Sequence, residues 1–199
     1  MSDSAPSWLR QALPSIERGL GGLAVAGLAD EKALGRGGLA LSSPAFADGG
    51  ELDPCFAADE EDAVAPPLEW TAPPPGTQEL VVIVEDPGAA AAEPTCHWLV
   101  WGLPGQRGVL LEGEVPPRVG KNSKRNSEWL LPEPPIDDTA HTYVFQLFAL
   151  DLPLTLMPGA SREELVAEMK DHVTAVALLT ATFDREEQEA DDWEEDDFE

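Results

Sequence analysis

Two histidines, one tyrosine and one aspartate stand where this chain could do chemistry. His97 opens the apolar run His97–Leu103, and His141 opens the run that continues through Thr142–Leu150. Asp86-Pro87 follows the run Leu80–Val84. All three positions therefore fall at expected strand–loop junctions, where a rigid scaffold can present polar groups around one cavity. Tyr143 lies two residues after His141, so both point to the same face of a strand. Two imidazoles and a phenol offer N–H and O–H donors to an anion such as phosphate. Asp86 would orient one imidazole and bias it toward its charged form.

Other templates fail. There is no G-x-S-x-G elbow, no Walker loop, no G-x-G-x-x-G after a strand and no C-x-x-C. Asn122, Ser123 and Ser127 occupy a long loop, but a serine nucleophile needs a base that the sequence does not show. His172, beside Val173 in a helical pattern, is expected to pack or to cap that helix's C-terminal end. Two histidines and one aspartate could in principle hold a metal, yet no close pair such as H-x-x-x-H supports it; neither metal nor cofactor is expected. A binding module thus ranks first and the chain is not expected to be an enzyme. The alternative is a small hydrolase or lyase using a pocket histidine as general base.

The elements that must position these groups are mostly strands. With 19 prolines and 17 glycines in 199 residues, the chain has too many breakers for a helical bundle and points to short segments joined by turns. Leu80-Val81-Val82-Ile83-Val84 is a continuous β-branched run, the pattern of a strand buried on both faces. Leu39–Ser42, His97–Leu103, Val109–Leu111, Thr142–Leu150 and Leu178–Phe183 are further strand candidates. Asp48-Gly49-Gly50 and Pro73–Gly76 are turns, and Gly120–Asp138 is a long surface loop. Ser161 and Glu164 form a capping-box pattern, followed at helical spacing by Leu165, Met169 and Val173. Near the N-terminus, Trp8, Leu9, Ala12, Leu13, Ile16 and Leu20 share one helical face, although Pro14 and Gly19 interrupt it.

These elements divide the chain into an N-terminal amphipathic helix and linker (1–38), a β-rich domain (39–185) and an acidic tail (186–199). The helix either packs on the domain or serves self-association, which leaves a homodimer open. A net charge of −26 repels phosphate backbones and anionic leaflets, so nucleic acid is excluded as a partner. Ten acids between Glu186 and Glu199 should keep that block disordered, and Trp193 and Phe198 within it could anchor a protein partner. Leu20–Leu28 is too short and too glycine-broken to span a membrane. Without a basic start, an apolar stretch and a cleavage site, the expected compartment is the cytoplasm. Cys55 and Cys96 make no disulfide framework, and Cys96 reads as a small buried hydrophobe.

Motif order adds a resemblance. Pro67-Leu68-Glu69-Trp70, Pro75-Gly76-Thr77, Val84-Glu85-Asp86-Pro87, His97-Trp98-Leu99-Val100 and His141-Thr142-Tyr143-Val144-Phe145 follow one another as in the phosphatidylethanolamine-binding family. Within it, the sequence is similar to the bacterial Raf-kinase-inhibitor-like branch, over roughly residues 39–185. The resemblance implies a mostly β fold, a β-sandwich with peripheral helices and a C-terminal helix. It also implies a pocket for phosphate-type headgroups or other small anions, formed here by Asp86, His97, Pro134, His141 and Tyr143, and a function as modulator of a partner protein. The family's D-P-D-x-P element falls on Asp86–Ala90, with Gly88 in place of the second aspartate and Ala90 in place of the last proline. Its G-x-H-R-Y element falls on Thr139–Tyr143, with Thr142 in place of arginine. Glu133 stands beside the pocket and is expected to face outward, since an unpaired carboxylate facing inward would be costly.

Overall fold

The run Leu80–Val84 lies at the heart of the molecule. The computed structural model describes residues 5–88, 93–136 and 139–185. Among the described residues, nine strands are formed by Leu41–Ser42 (β1), Gly50–Glu51 (β2), Leu68–Trp70 (β3), Glu79–Asp86 (β4), Thr95–Pro104 (β5), Gly108–Leu110 (β6), Arg118–Val119 (β7), His141–Leu150 (β8) and Val173–Phe183 (β9). Three α-helices cover Ser7–Ala12 (α1), Ala24–Leu28 (α2) and Arg162–Met169 (α3). Six strands make one sheet in the order β2-β9-β8-β4-β5-β7, and β1-β3-β6 make a smaller one. All pairings are antiparallel except β2 with β9.

Every residue of β4 is buried, because both faces of the large sheet are covered. Leu80, Val82 and Val84 pack with Trp70, Trp98, Phe145 and Leu147 on the face toward the small sheet. Val81 and Ile83 pack with Leu9, Leu20, Leu99, Phe148 and Leu165 on the face toward the helices. Each such aliphatic side chain contributes about 2 kcal/mol by leaving water. Alternation along β4 and β8 therefore divides the molecule into a sandwich half and a helical half. The fold is the β-sandwich with peripheral helices that the sequence implies.

The helices differ from expectation in extent. The N-terminal stretch does not form one helix. Leu13 leaves α1 with non-helical backbone angles (φ −125°, ψ 62°), Pro14 follows, and Gly19 takes φ +78°. Two short helices result, and their apolar residues lie on the large sheet. Residues 29–38 are not a free connector either: Gly35 N–H donates to Val176 O at 2.8 Å, and Val176 N–H donates to Ala33 O at 2.9 Å. The capping box at Ser161 and Glu164 is formed as read. Helix α3 ends at Met169, however, and Asp171 turns the chain at φ +67°, so Val173 begins β9 instead of continuing the helix. His172 thus lies between helix and strand, with its Nδ1 3.0 Å from Asp151 Oδ1. The tail 186–199, with Trp193 and Phe198, lies outside the described residues, as do Ala89 and Ala90.

Candidate functional site

At one end of the large sheet, β4, β5 and β8 deliver the polar residues to the sandwich side. Asp86 follows Val82 and Val84 in phase, and His141 and Tyr143 precede Phe145 in phase. His97 arrives by a different route. Val84 pairs with Trp98 and Glu85 with Cys96, which leaves His97 as an extra residue in β5. Trp98 belongs to the sandwich core and Cys96 to the helical core. A β-bulge of this kind re-aims a side chain. Here it turns the imidazole edge-on to Tyr143, with ring centroids 5.0 Å apart at 85°, and brings it 6.0 Å from Trp129.

Hydrogen bonds fix each group. His141 Nδ1 lies 2.6 Å from Asp86 Oδ2, and Asp86 Oδ1 accepts from Gly88 N–H at 2.7 Å. An ionised carboxylate only accepts, so this pair places the His141 hydrogen on Nδ1. His97 Nδ1 lies 2.6 Å from Leu130 O, while Leu130 N–H donates back to His97 O at 2.9 Å. Because a carbonyl cannot donate, His97 carries its proton on Nδ1 and presents Nε2 as an acceptor when neutral. Burial lowers the His97 pKa, with the bond to Leu130 and the Asp86 charge opposing in part. Tyr143 is 1% exposed, and burial followed by the Asp86 charge raises its pKa, so the phenol keeps its proton as a donor.

The long loop closes the site because it is zipped onto β5. Ser123 N–H donates to Cys96 O at 2.9 Å, and the Ser123 hydroxyl accepts from Cys96 N–H at 2.8 Å. Asn122 Oδ1 accepts from Lys124 N–H at 2.9 Å, and its amide donates to Glu128 O at 3.0 Å. Trp129 Nε1 donates to Phe56 O at 3.0 Å. Asn122 and Ser123 therefore hold the loop's shape.

The open cavity measures about 370 Å³ and is lined by Asp86, Thr95, His97, Lys124, Leu130, Leu131, Glu133, Pro134, Pro135, His141 and Tyr143. All five residues expected there from the sequence converge on it. Glu133 sits at the rim, half exposed, 3.8 Å from Lys124 Nζ and 3.7 Å from Arg185 Nη1. It belongs to the cavity lining, and its half exposure and two cationic neighbours keep its charge solvated. Lys124 was missed by sequence reasoning. The available signal was the basic cluster Lys121, Lys124 and Arg125 in an otherwise acidic chain. A second cavity of about 470 Å³, with Trp98 and Trp129 in its wall, shares Lys124, Leu130, Leu131 and Glu133 with the first. Among the described residues, no group of three or more His, Cys, Asp or Glu is arranged to hold a metal ion.

The family model described as phosphatidylethanolamine-binding protein matches residues 42–184. A UPF0098 protein of Methanothermobacter thermautotrophicus is 33% identical over 152 residues, covering 73% of this chain and 98% of its own. A Mycobacterium tuberculosis protein with lipoprotein in its name, LppC, is 33% identical over 150 residues, covering 73% of this chain and 72% of its own. Among solved structures, a phosphatidylethanolamine-binding protein homologue of Chlamydia trachomatis, CT736, superposes with a TM-score of 0.69 at 29% identity. That match covers 74% of this chain and 98% of the other. No helix among the described residues is long and apolar enough to cross a membrane.

Proposed function

Since the chain belongs to the phosphatidylethanolamine-binding protein family, we propose that it is a binding protein for small anionic ligands of the phosphate or phosphorylated-headgroup type. The observation that carries this reading is the convergence of the Asp86–His141 pair, the Tyr143 phenol and the His97 ring on one cavity of about 370 Å³. Tyr143 supplies a hydroxyl donor. His141, with its Nδ1 held by Asp86, supplies an imidazole that carries positive charge when protonated. Lys124 adds a fixed positive charge at the mouth. Asp86 is not an open repulsive charge toward the ligand, because each of its oxygens already accepts a hydrogen bond.

The test is a titration with inorganic phosphate and with phosphoethanolamine, followed by histidine NMR shifts, on wild type and His141→Ala. Saturable shifts at His97 and His141, with the His97 response lost in the variant, are the expected result. Silence of both rings at millimolar ligand would overturn the reading.

A further inference from the structure

The family match begins at residue 42, yet the chain before that point reaches the strand that carries Asp86. Gly19 lies so close to Pro87 that a Cβ added there would stand 2.2 Å from the Pro87 carbonyl oxygen. A Cβ on Gly22 would stand 2.8 Å from Cδ of Pro94. Pro87 and Pro94 are the two legs of the segment joining β4 to β5, so the N-terminal stretch presses on both. Next to Pro94's partner, Ala24 N–H donates to Glu85 Oε2 at 2.8 Å, and Val25 N–H donates to Gln146 Oε1 at 2.8 Å. Arg162 closes the arrangement: Nε donates to Glu85 Oε1 at 2.5 Å and Nη2 to Gly22 O at 2.7 Å.

Glu85 and Asp86 are consecutive and point to opposite faces of β4. Whatever fixes one therefore fixes the other. We propose that residues 18–25 act as a brace for the ligand site: Gly19 and Glu85 are positioning residues that set where Asp86 stands and hence its hydrogen bond with His141. A cavity of about 270 Å³ lined by Arg18, Pro87, Gly88, His141 and Thr142 lies beside this contact, with Ser15, Ile16 and Glu17 also in its wall just before the brace. The inference rests on the binding reading for its purpose, although its geometry can be tested without ligand. Simple core packing would need only the buried apolar residues such as Leu9 and Leu20. The main-chain contacts at Pro87 and Glu85 are what the brace adds.

The experiment compares the full chain with Gly19→Ala, Gly22→Ala and Leu9→Ala. Three readings are taken: thermal unfolding, the ligand-free ¹⁵N shift of His141 Nδ1, and the response to inorganic phosphate. Leu9→Ala is expected to lower the unfolding temperature while leaving the His141 shift in place. Gly19→Ala should move that shift and weaken phosphate binding about tenfold or more, the effect of losing one charge-assisted hydrogen bond. Gly22→Ala should act in the same direction with smaller size, and it carries the test if Gly19→Ala does not fold. The brace is overturned if the glycine variants displace the His141 shift no further than Leu9→Ala does. A wild-type chain indifferent to phosphate would overturn only the binding reading, because the ligand-free shift still decides the brace.

Discussion

Glu85 and Asp86 are neighbours in sequence, both buried acids, and they do opposite work. Glu85 is fully buried and accepts from Ala24, Gln146 and Arg162, so its oxygens are committed to holding the N-terminal stretch and α3 against the sheet. Asp86 is 4% exposed and accepts from Gly88 and His141, and it borders an open cavity. The Glu85 side is closed by guanidinium and amide, which cannot change protonation near neutral pH. The Asp86 side is closed by an imidazole, which can. Burial alone therefore does not separate a structural acid from a site acid; the chemistry of the partner and the space beside it do.

The comparison can be broken most forcefully at Glu85. Glu85→Ala strands Arg162, which is largely buried, and should cost about 3 kcal/mol, measured as a fall in unfolding free energy in urea. An unchanged midpoint would remove the structural role assigned to Glu85. Asp86→Asn should cost less stability, about 1 kcal/mol, but weaken phosphate binding roughly tenfold, read by isothermal titration. If Asp86→Asn lost stability as heavily as Glu85→Ala while keeping its affinity, the division between the two acids would be reversed.

His97 sharpens the picture with the smallest effect. Its folded pKa lies below the ordinary value of 6.5, mainly through burial. Between that lowered value and 6.5 the unfolded chain binds more protons than the folded one. Stability is therefore fully present above about pH 6.5 and declines as pH falls toward the lowered value, at about 1.4 kcal/mol per unit of depression. Urea midpoints at about pH 7.5 and about pH 5.5 should differ more for wild type than for His97→Phe. Equal differences would mean that His97 is not a buried neutral ring.

Sequence pattern located the long strands because the β-branched run of β4 and the apolar run of β8 are local signals, whereas the short β2, β3 and β7 were not read from it. It located His141 and Tyr143 for the same reason, since a period of two fixes their shared face. The ends of the helices were less legible. Nothing local distinguished Met169 as the last helical contact from Val173 as a third one, because both are apolar at the same spacing. The Glu85 network was invisible: its partners Ala24 and Arg162 lie 61 and 77 residues away, and no periodicity links them. The Lys124–Glu133 pair at the cavity mouth was hidden similarly, formed by the folding back of an irregular loop.

The extra residue in β5 also decides what kind of reagent the site would respond to. Had the strand kept strict alternation back from Trp98, Cys96 would have turned toward the sandwich side and His97 away from it. The cavity would then present a thiol, open to oxidants and alkylating agents. In the bulged strand Cys96 lies in the helical core, 2% exposed, its pKa pushed up to about 12 by burial. One inserted position thus gives the pocket a second imidazole in place of a thiol and shields the neighbouring sulfur from redox chemistry.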